Sequence, residues 1–144
     1  QQSYMDINQQ QSTPLQKAPA DDQQKVILIV EDDPILLKMY TEKFTFEGFT
    51  VLNAKDGEEA LKVALAEKID IILLDIMLPR LSGTDFLEKF KQSPKAANLP
   101  VIALTNLAEE EERQKALKLG VREYLVKAMQ TPEQVVEKVK KNLA

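Results

Sequence analysis

Apolar residues in this chain gather into short unbroken runs separated by amphipathic stretches. Four runs stand out: Val26-Ile27-Leu28-Ile29-Val30, Ile71-Ile72-Leu73-Leu74, Val101-Ile102-Ala103-Leu104 and Tyr124-Leu125-Val126. Runs of this length read as strands buried on both faces. Positions 35, 36, 39, 40, 44 and 46 are apolar at helical spacing between Pro34 and Gly48, which predicts a partly buried helix over 34–46. A short second strand is expected over 49–52. Asp56 and Glu59 offer an N-cap and a reciprocal carboxylate for a helix carrying Ala60, Leu61, Ala64 and Leu65 on one side. Ser82-Gly83-Thr84-Asp85 opens another helix, expected to run to about Lys91, and Pro94 and Pro100 bound a loop.

The next helix is expected over 107–119. Its acids at 109–112 precede Arg113, Lys115 and Lys118, an order that complements the helix dipole and offers Glu109–Arg113 and Glu111–Lys115 pairs. Gly120 suits the position just past its end. Thr131-Pro132-Glu133-Gln134 supplies an N-cap, a first-turn proline and a box partner for a last helix with Val135, Val136, Val139 and Leu143 inward. Strand and helix thus alternate as (βα)5. That predicts an α/β fold, a doubly wound parallel sheet covered on both faces as a three-layer α/β/α sandwich.

Each run ends on a residue able to do phosphate or metal chemistry: Glu31-Asp32, Asp75, Thr105 and Lys127. In a parallel sheet these ends share one edge, and ligands of open α/β sheets bind in a crevice outside it. Taken singly, each has a plainer reading. Asp33-Pro34 is a natural helix start, Asp75 could cap a loop, Thr105 could cap a helix, and Lys127 could be a solvated strand end. Taken together they form a set. Carboxylates from two strands suit a hard Mg²⁺ ion, and a lysine and a hydroxyl add contacts for a phosphoryl group. Asp75 is the natural nucleophile, since carboxylates form acyl phosphates.

Composition narrows the alternatives. The 144 residues suit a single domain, 44% are hydrophobic, and 19 basic against 23 acidic residues give a net charge of −4. General nucleic-acid binding wants a basic face, so no direct nucleic-acid partner is expected. Histidine and cysteine are both absent. That excludes catalytic triads, His-ligated zinc, disulfides and a phosphohistidine on this chain, and fits a cytoplasmic location. No apolar stretch approaches the ~20 residues of a membrane span, and no secretory signal is apparent. Residues 1–24 include eight glutamines and two prolines, so they are expected to form a flexible tail ahead of a domain at 25–144. Met5 is the expected native start, with residues 1–4 extraneous.

The set Val30-Glu31-Asp32-Asp33, Asp75-Ile76-Met77-Leu78-Pro79 with Gly83, Thr105, and Tyr124-Leu125-Val126-Lys127 resembles the receiver domain of two-component response regulators. The resemblance covers 25–144. It implies a flavodoxin-like fold with strand order 2-1-3-4-5, like the stand-alone chemotaxis receivers. It also implies a phosphorylation-activated switch in which Asp75 accepts a phosphoryl group from a sensor histidine kinase or phosphotransfer protein. Asp32, Asp75 and the Met77 backbone carbonyl would hold Mg²⁺, with Glu31 acting through water and Asp33 outside the metal set. Thr105 and Tyr124 would respond to the phosphate, and Lys127 would contact it. Output would pass to a downstream protein through the fourth helix, fifth strand and fifth helix, with homodimerisation on phosphorylation as one route. Such a protein catalyses only its own phosphorylation and dephosphorylation. Because the sequence ends with the fifth helix, it reads as a stand-alone receiver or as part of a longer protein.

The chain departs from the family pattern in three places. Ala128 stands where proline usually follows the lysine, so either a trans bond with a rearranged loop or a strained cis bond is expected, cis costing ~3–4 kcal/mol. Asn106 is larger than the residue usual there. Met77 and Leu107 flank the expected path of an attacking water and cannot orient it strongly, which predicts slow self-dephosphorylation. Other classes fit less well. A haloacid-dehalogenase-like phosphatase would want an aspartate at Met77, and a flavin binder would want a phosphate loop where Glu31-Asp32-Asp33-Pro34 stands. A receiver-like scaffold that is never phosphorylated is the remaining alternative.

Overall fold

The computed structural model describes residues 24–106 and 108–144. The expected tail therefore falls, but for Gln24, outside the described residues, as does Leu107. Five strands, β1 Val26–Val30, β2 Thr50–Ala54, β3 Ile71–Leu74, β4 Val101–Thr105 and β5 Glu123–Val126, form one parallel sheet in the order β2-β1-β3-β4-β5. Five helices connect or follow them: α1 Pro34–Phe46, α2 Gly57–Ala66, α3 Gly83–Phe90, α4 Glu110–Lys118 and α5 Pro132–Lys141. This is the doubly wound parallel sheet the alternating pattern predicts, in the flavodoxin-like strand order that the resemblance implies.

Side chains alternate across a strand, so each aliphatic run feeds two cores. Leu28, Val30, Ile72, Leu74 and Ala103 face the layer of α2, α3 and α4, meeting Ala60, Ala64, Phe86, Phe90 and Ala116. Ile27, Ile29, Ile71, Leu73 and Ile102 face α1 and α5, meeting Tyr40, Phe44, Val135 and Val139. Fully burying one such side chain contributes ~1.5–3 kcal/mol. β1, β3 and β4 are thereby the most deeply buried strands among the described residues, which suits them to carry a site at their ends.

Helix starts follow the sequence closely. Asp33 accepts from the Ile35 and Leu36 N–H groups at 2.9 and 3.4 Å with Pro34 beside it, and Thr131 and Gln134 close a full capping box. The Glu59 carboxylate reaches the Lys55 N–H at 2.9 Å rather than that of Asp56, so its box closes one residue early. At α3 only the Ser82 half forms, accepting from Asp85 N at 3.2 Å.

Four details differ from expectation. The second strand begins at Thr50, because Phe49 N–H bonds back to Phe44 O at 3.0 Å and its ring packs edge-on against Phe44. Helix α4 begins at Glu110, and Arg113 pairs with Glu110 at 3.2 Å instead of Glu109, while Glu111–Lys115 makes no ion pair among the described residues. Ile35 and Phe46, counted in the apolar pattern of α1, are each 77% exposed, one in its first turn and one at its last residue. Pro94–Ala96 forms a 3-10 turn within the expected loop.

Candidate functional site

The strand order reverses between β1 and β3, and the pairing Val30↔Leu74 brings the next residues, Glu31 and Asp75, side by side at the carboxyl edge. The backbone fixes them there: Asp75 N–H donates to Val30 O at 3.0 Å and Glu31 N–H to Ala54 O at 3.0 Å. Glu31 and Asp75 are buried, 4% and 5% exposed, while Asp32 opens to solvent. One carboxylate oxygen from each of Glu31, Asp32 and Asp75 lies within 4.8 Å of the others. Asp33 takes no part in this cluster. It caps α1, and its N–H donates to Glu31 Oε2 at 3.0 Å.

Lys127 enters from the end of β5. Its Nζ lies 2.7 Å from Glu31 Oε1 and 3.0 Å from Asp75 Oδ2. The second Asp75 oxygen accepts from the Met77 N–H at 3.0 Å. Charge-assisted bonds of this kind are what make a buried carboxylate tolerable. Burial pushes the Glu31 carboxyl above its ordinary value, and the Asp75 charge adds to this against the bonds from Lys127 and Asp33 N. Burial works the other way on Lys127, but its two carboxylate partners outweigh it and hold the ammonium above its ordinary value. Lysine gains two anions, whereas Glu31 shares one cation with a neighbouring anion. Three carboxylates against one ammonium leave two negative charges, which one divalent cation would balance. The oxygen donor set and its spacing fit a hard ion such as Mg²⁺.

Thr105 ends β4 fully buried, paired in register with Val126 and so one residue from Lys127. Tyr124, on β5 opposite Ala103, packs partly buried against the α2–α3–α4 core. Its phenol is held above its ordinary value by burial first, then by the charges of Glu112, Glu109 and Asp75. The Met77 side chain is 54% exposed, beside an open cleft of about 530 Å³ also lined by Asp32, Pro79, Asp85 and Lys115. Gly83 lets the chain fold onto the site, since a Cβ there would stand 2.6 Å from Ile76 Cα and 2.8 Å from Asp75 O. Among the described residues every peptide bond is trans, Lys127–Ala128 included, and a 3-10 turn over Lys127–Met129 leads toward α5. The strained cis alternative at Ala128 is therefore not the one adopted.

Asp56 does more than cap α2, the one role its place in the sequence suggests, and Arg80 carries no sequence signal of a part in the site. The structure pairs the two at 3.4 Å beside the Asp75–Gly83 loop. No local signal in the sequence marks Arg80 as adopting a positive φ.

Residues 27–140 match the family model of the response regulator receiver domain. The chain is 40% identical over 109 residues to the transcriptional regulatory protein CpxR of Escherichia coli K12, spanning 76% of this chain and 45% of that one. It is 34% identical over 117 residues to the probable transcriptional regulatory protein TcrX of Mycobacterium tuberculosis, spanning 81% and 49%. The chain thus spans about half the length of the curated relatives it matches. Among solved structures, it resembles a CheY-like receiver domain protein from Methanospirillum hungatei with TM-score 0.78 and 32% identity, covering 83% of this chain and 94% of that one. It also resembles the response regulator TrrA of Thermotoga maritima, solved in complex with Mg²⁺-BeF, with TM-score 0.72 and 32% identity, covering 83% and 99%.

Proposed function

Since the chain belongs to the response regulator receiver family, which signals by phosphorylation, we propose that Asp75 is its phosphoacceptor and that Mg²⁺ assists the transfer. One observation carries this reading. Asp75 is a buried carboxylate on a central strand end, bonded to Lys127 and clustered with Glu31 and Asp32. Asp32, Asp75 and the Met77 backbone carbonyl would hold the ion, with Glu31 acting through water. When bound, Mg²⁺ supplies positive charge that offsets repulsion between Asp75 and an incoming phosphoryl group.

The donor is a phosphohistidine on a sensor kinase or phosphotransfer protein. An Asp75 carboxylate oxygen attacks phosphorus, a P–O bond forms, the P–N bond breaks, and the imidazole nitrogen keeps the electron pair. Lys127, already bonded to Asp75, follows the new charge onto a phosphoryl oxygen. Thr105 donates its hydroxyl to another, and Tyr124 turns inward behind it. These contacts bias the surface of α4, β5 and α5 between two states, through which a downstream protein or a second copy is engaged. Moving such an equilibrium from 1:99 to 99:1 takes about 5.5 kcal/mol of differential interaction. Three phosphoryl oxygens newly paired with Mg²⁺, Lys127 and the Thr105 hydroxyl, two of these partners charged, are of the right order.

The test is incubation with a small acyl-phosphate donor and Mg²⁺, followed by intact-mass measurement. A gain of one phosphate that Asp75→Asn abolishes is expected. No gain would instead support an interaction scaffold outside phosphorylation control.

A further inference from the structure

The segment from Asp75 to Gly83 joins β3 to α3 and carries two groups of the site, the Asp75 carboxylate and Met77. It is a closed and strained loop. Gly83 N–H donates to Ile76 O at 2.9 Å, pinching its two ends together. At its far side Leu81 N–H donates to Pro79 O at 2.7 Å, with Arg80 between them at φ 68°. That is a γ-turn of the positive-φ kind, rare and strained for a residue with a Cβ. Strain of this sort persists only where the surroundings hold it, and it gathers at functional sites.

Two neighbours at the start of α2 do the holding. Gly57 gives the loop a seat: a Cβ there would stand 1.9 Å from Leu81 O, so any other residue would push the loop away. Asp56 gives it a tie. One oxygen of Asp56 caps α2 by accepting from Glu59 N at 2.8 Å, and the other lies 3.4 Å from Arg80 Nε. The loop reports to the phosphoacceptor through Met77, whose N–H donates to Asp75 Oδ1 at 3.0 Å. The start of α2 and the acceptor carboxylate are therefore linked through a single strained turn.

We propose that Arg80 is a positioning residue: tied to Asp56, it holds the Asp75–Gly83 loop so that Asp75 and the Met77 backbone are presented together to the metal. The proposal rests on the reading that Asp75 and Met77 belong to a Mg²⁺ and phosphoryl site. Its role is geometric rather than electrostatic, which gives it an unusual sign. Removing a positive charge near an acidic cluster should by charge alone tighten Mg²⁺ binding, and removing a negative one should weaken it. Loss of the tie weakens binding in both cases.

The experiment measures the Mg²⁺ dissociation constant by titration calorimetry for the parent, Arg80→Ala, Asp56→Ser, the double variant and Arg80→Lys. Serine at 56 keeps an N-cap oxygen but cannot form the ion pair. An exposed ion pair of this kind corresponds to about twofold to fivefold in affinity. Each single variant should bind that much more weakly, the double variant no more weakly than the weaker single, and Arg80→Lys should recover most of the loss. In metal-free protein the Gly83 amide should exchange faster with solvent in both single variants. If Arg80→Ala binds Mg²⁺ as tightly as the parent or more tightly, or if the double variant simply cancels the two singles, the tie is refuted while the site reading stands. If the parent itself binds no Mg²⁺, both fall.

Discussion

Lys127 Nζ approaches Glu31 Oε1 at 2.7 Å, closer than it approaches Asp75 Oδ2 at 3.0 Å. Glu31, rather than the proposed acceptor Asp75, is thus the lysine's closest partner. The ammonium and a divalent cation draw on the same buried carboxylates, so each should lessen the need for the other. Lys127→Met leaves Glu31 and Asp75 without their cation. Breaking a buried pair costs ~3–5 kcal/mol, and the open side of this crevice lowers that to about 2–3 kcal/mol. Urea denaturation in EDTA should show that loss, and saturating Mg²⁺ should recover much of it by binding the folded state alone. An equal loss with and without Mg²⁺ would contradict the shared-charge account.

Glu31 also predicts a pH dependence. Its folded carboxyl is raised above 4.5, first by burial. The folded state therefore holds this proton to higher pH than the unfolded chain, and the associated stability is present below 4.5 and lost as pH rises through the folded value. Glu31→Gln removes that titration. In metal-free protein the variant should gain in urea midpoint relative to the parent at pH 7.5, and the gain should shrink toward pH 4.5. A difference that is flat with pH would show that Glu31 does not titrate in this way.

Glu123 behaves oppositely. Burial would raise its carboxyl, but hydrogen bonds from Asn142 and Lys138 win and hold it below 4.5. Stability from these contacts is present above 4.5 and lost as pH falls through the depressed value. Asn142→Ala, which unties the end of α5 from β5, should lower the melting temperature at pH 7 by a few degrees, for a loss of about 1 kcal/mol. The difference from the parent should narrow below pH 4. An undiminished gap at acid pH would assign the loss to the helix end alone.

Much of this was legible because the pattern is local. Continuous aliphatic runs such as Ile71–Leu74 declare strands buried on both faces, and alternation with capped helices leaves few topologies. Once the sheet is parallel, the residues following each run must share an edge, so Glu31, Asp32, Asp75 and Lys127 are gathered by topology alone. What escaped depends on contacts across the fold. Phe49 left the second strand to pack on Phe44, and Glu59 overshot its cap to reach Lys55. The turn at Arg80 is set by a seat at Gly57, 23 residues upstream, which no window along the chain reveals.

The lifetime of the proposed acyl phosphate turns on Met77. Its side chain is 54% exposed and lines the open cleft beside Asp32, two residues along the chain from Asp75, the proposed acceptor. A thioether is only a weak acceptor and cannot align an attacking water, whereas a carboxamide both donates and accepts. One added hydrogen bond made in the transition state, worth ~0.5–1.5 kcal/mol net, corresponds to about twofold to twelvefold in rate. Met77→Asn should therefore shorten the phosphate half-life by that factor, while Met77→Leu, which fills the same space without a polar group, should leave it unchanged. The decay is read by intact mass after removal of the donor. Equal half-lives for Met77→Asn and the parent would mean that water alignment at this position does not limit hydrolysis. The other flanking residue, Leu107, lies outside the described residues, so the prediction is carried by Met77 alone.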